Sequence, residues 1–133
     1  VFHNVNEKTG IMQALESGFD VICDRYYYSS FAYQGMDSSL EWVMHMNLDC
    51  PDILRPDVCI FLDLDAESSK KRIDSGRTSV DIFEESTDVL NSIRNKFFDV
   101  FKKLPGENIK IVDAGRTVSE IAADIAEIID AGE

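Results

Sequence analysis

Apolar positions along the chain fall into two rhythms, and each predicts a different element. Short continuous runs appear at Phe19 to Asp24, at Asp57 to Asp65 (DVCIFLDLD) and at Ile109 to Asp113. Each ends in charge, which predicts strands, and the apolar centre of DVCIFLDLD is of the kind buried on both faces of a parallel sheet. Longer stretches follow the helical period instead. Asn6 to Ser17 carries Ile11, Met12, Ala14 and Leu15 and stops at Gly18, which suits a helix closed by glycine. Ser38 or Ser39 can cap a helix bearing Leu40, Val43, Met44 and Leu48, ended by Pro51. Ala66 to Asp74 reads as a helix before Gly76, and Phe83 to Lys103 as a long amphipathic one through Val89, Leu90, Ile93, Phe97, Val100, Phe101 and Leu104. Thr117 and Glu120 form a capping-box pattern opening a last helix with Ile121, Ile125, Ile128 and Ile129.

Strands separated by helices imply an α/β fold with a parallel sheet, in which ligands sit at the carboxyl ends of the strands. Asp24-Arg25, Asp63 and the Asp113 to Arg116 stretch fall at those ends. No internal repeat or linker-like tract divides the 133 residues, so one domain, or part of one, is expected.

Composition narrows the function classes. A formal charge of −12 repels polyanions, so general nucleic-acid binding and anionic-membrane binding are disfavoured. A small anionic ligand then needs local arginines, and the six are Arg25, Arg55, Arg72, Arg77, Arg94 and Arg116. No apolar run approaches the roughly 18 to 20 residues that span a bilayer, and VFHNVNEKTG is neither a basic leader nor an apolar signal core, so a cytoplasmic location is expected. Cys23, Cys50 and Cys59 lack the close spacing of a zinc or redox motif and are expected to be buried free thiols. His45 is expected as a packed or half-exposed helix histidine, and no metal site of side chains alone is legible.

The segment CDRYYYSSFAYQG, Cys23 to Gly35, carries the most chemistry. An apolar run delivering Asp24 and Arg25 into tyrosines, serines and Gln34 looks like the lip of a pocket. Consecutive residues cannot all face one pocket, so Tyr26, Tyr27 and Tyr28 are read as packing. Together with LEWVMHMN, RPDVCIFLDLD, KKRI before Arg77, and DIFEES leading to Ile93-Arg94, this segment closely resembles the thymidylate kinases, especially their archaeal-like branch. The resemblance implies a three-layer αβα sheet of the P-loop NTPase type and phosphorylation of dTMP to dTDP with ATP and Mg²⁺. It also implies a homodimer formed through helices near the start of the chain and around Trp42, with Leu40, Val43 and Met44 suited to that interface or to the core.

Site roles follow from the same resemblance. Arg25 bridges acceptor and donor phosphates, Asp24 holds Arg25 or the water shell of the magnesium ion, and Arg77 meets the ATP phosphates from a lid at about residues 68–84. Ser29, Ser30, Tyr33 and Gln34 line the dTMP pocket, Ser30 toward the thymine edge and Tyr33 under the sugar, where it disfavours a 2′-hydroxyl. Phe2 is the aromatic expected to stack on thymine, and His3 stands near where the family keeps an arginine. Arg72 is placed to flank adenine, Arg116 to wall it, and Glu84 to reach magnesium through water or simply to sit at an acidic helix start.

The chain departs from the family in one large respect. No GxxxxGK[ST] occurs in it, so the amide cradle and lysine that hold ATP phosphates are missing. The sequence is therefore expected to be about the C-terminal two-thirds of such a kinase, lacking its first strands and inactive alone. Two other readings stay open: a different nucleoside monophosphate kinase on this scaffold, and a non-catalytic nucleotide-binding or interaction module.

Overall fold

A computed structural model of the protein describes residues 10–34, 39–76 and 87–132. It divides into two compact units, Val1–Pro56 and Asp57–Glu133. The expectations for Phe2, His3, Arg77 and Glu84, and for the side chain of Gln34, lie outside the described residues.

The first unit is helical: α1 (Ile11–Glu16), α2 (Tyr27–Gln34) and α3 (Leu40–Leu48). Gly18 ends α1 as expected, at φ 89°. The Gly18 amide donates to the Leu15 carbonyl and that of Phe19 to the Ala14 carbonyl, both at 3.0 Å, the paired bonds of a Schellman stop. Helices α2 and α3 pack together. Tyr27, Tyr28, Phe31 and Ala32 of α2 and Leu40, Val43 and Met44 of α3 are buried, so the last three serve the core. Tyr27 and Phe31, one helical turn apart, stack with centroids 5.1 Å apart. The Tyr26 hydroxyl donates to the Leu54 carbonyl at 2.9 Å, and all three tyrosines thus act in packing.

The expected strand over Phe19 to Asp24 does not form. Among the described residues nothing pairs with it, and without a ladder partner apolar patterning alone makes no strand. Phe19 is 68% exposed and Ile22 89%. Cys23 is consequently exposed too, and Cys50 and Cys59 are only partly covered, so the three free thiols are not the buried ones expected. His45 stands exposed on α3, its Nδ1 3.0 Å from the Asp49 carboxylate.

The second unit holds β1 (Cys59–Asp63), α4 (Ala66–Gly76), α5 (Thr87–Lys102), β2 (Ile109–Asp113) and α6 (Val118–Ala131). Strands β1 and β2 pair in parallel, Cys59 opposite Ile109 through Asp63 opposite Asp113. One carboxylate therefore ends each strand, side by side. The Phe61 ring meets Phe97, Phe98 and Phe101 of α5 at 5.1, 5.7 and 5.1 Å, and Val100, Leu104, Val112 and Ala114 are buried. The expectation that β1 is buried on both faces is not met, since Leu62 is 50% exposed. The Phe61 face of the strand is packed by the phenylalanines, while on the other face Ile60 is half-buried and Leu62 exposed. Thr117 caps α6 as expected, accepting from the Glu120 amide at 3.3 Å. Among the described residues no helix is long and apolar enough to cross a membrane.

Candidate functional site

In the first unit the turn before α2 and the exposed side of α2 carry the candidates. Arg25 takes a left-handed backbone, φ 62°, alone among the described non-glycine residues. Residues with a Cβ enter that region at a cost of about 1–2 kcal/mol, and such positions cluster at functional sites. The Cys23 thiol donates to the Arg25 carbonyl at 3.1 Å. The Arg25 guanidinium lies 5.8 Å from the centroid of the Tyr33 ring, within cation–π range. Ser29 and Ser30 lie one turn or less before Tyr33 and are half-buried, while Asp24 is exposed beside Arg25. The helix thus divides its labour: Tyr27, Tyr28, Phe31 and Ala32 face the core, and Ser29, Ser30 and Tyr33 occupy the intervening positions.

In the second unit the ends of β1 and β2 gather a separate set. Arg72 of α4 donates to the Arg116 carbonyl at 3.3 Å, which brings together two arginines 44 residues apart. Arg116 itself donates through Nε to the Asp113 carbonyl at 3.1 Å and through Nη2 to the Asp124 carboxylate of α6. That carboxylate, the first cause, holds the Arg116 guanidinium above its ordinary pKa. Within the loop the Gly115 amide donates to the Asp113 carboxylate at 2.8 Å. A Cβ on Gly115 would stand 3.1 Å from that oxygen, so the tight turn suits glycine.

One pair has no counterpart among the expected roles. Arg94 of α5 donates to both oxygens of Asp63, Nε at 2.7 Å and Nη2 at 3.0 Å, and lies over the Phe98 ring at 5.5 Å. The fork raises the Arg94 pKa, chiefly through its hydrogen bond to Asp63, and joins the carboxyl end of β1 to α5. Opposite charges 31 residues apart leave no spacing signal in a sequence. Among the described residues no group of three or more His, Cys, Asp or Glu side chains could hold a metal ion.

The sequence profile described as thymidylate kinase matches residues 3–125. The chain belongs to the thymidylate kinase family. It is 36% identical over 126 residues to the "Probable thymidylate kinase" of Pyrococcus abyssi, covering 92% of this chain and 57% of that protein. Similarity to the protein of the same name from Staphylothermus marinus is 34% over 126 residues, 94% of this chain and 60% of the relative. The "Thymidylate kinase" of Pediococcus pentosaceus is 34% identical over 124 residues, 90% and 59% respectively. The chain thus spans less than two-thirds of the length of these relatives. Thymidylate kinase membership implies the P-loop NTPase fold, and the parallel pair β1 and β2 with its flanking helices is the part of an α/β sheet described here.

Proposed function

We propose that the protein transfers the γ-phosphoryl group of ATP to dTMP, giving dTDP and ADP. The family match over residues 3–125 carries the reading, and the arrangement around Arg25 supports it. An oxygen of the dTMP phosphate forms the new bond to the γ-phosphorus as the bond to the β–γ bridging oxygen breaks. Catalysis of this kind is mostly positioning and neutralisation of charge spread over the transferred oxygens. Arg25 supplies a permanently charged planar fork for that charge, with Arg77 as a second source. Ser29, Ser30, Gln34 and Phe2 bind the thymidine moiety, and Tyr33 lies under its sugar. Arg72 and Arg116, already bound to one another through a carbonyl, border adenine.

Magnesium would neutralise the ATP phosphates. Asp24, an exposed carboxylate, fits such an ion, which keeps most of its waters and takes one or two carboxylates. The reading extends to a three-layer αβα sheet, a single kinase domain with a lid at about residues 68–84, and a cytoplasmic homodimer. Trp42 and Met46, exposed one turn apart on α3, offer the dimer an apolar face, since Leu40, Val43 and Met44 are already committed to the core.

The test is a coupled assay of ADP release on the protein as its gene encodes it, with dTMP, dUMP, dCMP, dAMP and dGMP as acceptors. Turnover with dTMP at the highest kcat/KM is expected. A preference for another monophosphate, or no ATP-dependent turnover at all, would sink the proposal.

A further inference from the structure

We infer that Tyr33 is a positioning residue for Arg25: its ring fixes where the guanidinium stands before any phosphate arrives. The inference rests on the kinase reading and adds a second task to the ring's place under the sugar. An arginine side chain has many rotamers, and holding it for a developing charge costs that freedom at the moment of reaction unless it has been restricted beforehand. Here both ends of the residue are held. Its carbonyl accepts from the Cys23 thiol at 3.1 Å, with the backbone at φ 62°, and its guanidinium lies 5.8 Å from the Tyr33 centroid.

The ring is a firm support for such a charge. Tyr33 sits in the last turn of α2, and that helix is anchored by Phe31, fully buried two residues earlier, and by Tyr27 stacked on it. At 41% exposure the ring is only partly covered, so part of it stays open to a sugar. The attraction comes from the quadrupole of the aromatic face. An aliphatic side chain of similar bulk would still fill the space but would not hold the cation.

Tyr33→Leu and Tyr33→Phe, each alone and with Arg25→Ala, separate these roles in the protein as its gene encodes it. The first readout is NMR of the unliganded protein, where the Arg25 side-chain resonances should carry a ring-current shift. That shift is expected to persist in Tyr33→Phe and to vanish in Tyr33→Leu. The second is the split between kcat and KM for dTMP. Tyr33→Leu should lower kcat about two- to fivefold, the worth of an exposed cation–π contact, and Tyr33→Phe should recover most of that loss. In the Arg25→Ala background Tyr33→Leu should cost kcat nothing further. An Arg25 shift unchanged in Tyr33→Leu, or an equal loss of kcat with and without Arg25, would overturn the inference. A parent protein inactive on dTMP would refute the kinase reading separately, because the NMR comparison needs no turnover.

Discussion

Arg25 concentrates the chemistry of the first unit, and its geometry says how its removal should read. The contact it is proposed to make strengthens as charge develops on the phosphoryl oxygens, so its loss belongs in kcat more than in dTMP binding. Arg25→Ala is expected to lower kcat by roughly a thousandfold, the lower range for arginines acting on phosphoryl transfer, with a much smaller change in KM. An alanine variant retaining near-parental kcat in the coupled assay would take Arg25 out of the mechanism. The sequence singles out this residue because an acidic-arginine pair follows an apolar run and precedes a specific aromatic and serine pattern. It did not disclose the left-handed backbone, which depends on the turn between Cys23 and α2. The Arg94 to Asp63 fork was illegible for another reason: its partners meet only after β1 and α5 have packed.

At the level of elements, the fork and a helix cap decide how the second unit keeps its helices in place. Arg94 and Asp63 are part-buried, their side chains 36% and 20% exposed. Arg94→Ala would leave the Asp63 carboxylate at the end of β1 without its bidentate partner. We expect a loss of about 1–2 kcal/mol, between the values for exposed and well-buried charged pairs, measured as a lower urea midpoint with unchanged slope. Asp65, just before α4, caps that helix: its carboxylate accepts from the Ser68 amide and from the Ser68 hydroxyl, both at 2.8 Å. The amide bond is the first cause that lowers the Asp65 pKa from its ordinary 3.8. A lowered carboxylate contributes stability that is complete above the unfolded value and lost as pH falls through the folded one. The stability gap between the parent and Asp65→Ala should therefore stay constant from neutral pH to about pH 5 and close below 3.8. A gap independent of pH down to about pH 2 would show that the cap does not depend on the charge. Most of these elements were legible because period and capping are local, as at Thr117 and Gly18. The helix α2 was not, since its tyrosines favour strands intrinsically and only the burial of Tyr27, Tyr28, Phe31 and Ala32 reveals the helical period. The unformed strand at Phe19 to Asp24 failed in the opposite way, because pairing is a property of a neighbour.

For the whole molecule, the limiting fact is that the 133 residues hold no phosphate loop, whatever the gene encodes beyond them. Without GxxxxGK[ST] they lack the motif whose backbone amides would hold the β-phosphate of ATP in line for transfer. Residues 1–133 by themselves are therefore expected to form no dTDP. They should also self-associate. Phe19 at 68%, Ile22 at 89% and Leu62 at 50% exposure present apolar surface that water penalises, and the two-stranded sheet leaves backbone hydrogen-bonding edges open among the described residues. If the gene encodes a phosphate loop outside residues 1–133, the protein it encodes should differ from residues 1–133 in both respects together. The measurement pairs a coupled dTDP assay with size-exclusion chromatography on the two proteins at equal concentration. Equal turnover by residues 1–133, eluting as a monomer, would mean that this chain grips ATP with groups other than a phosphate loop and that its exposed apolar surface is tolerated as it stands.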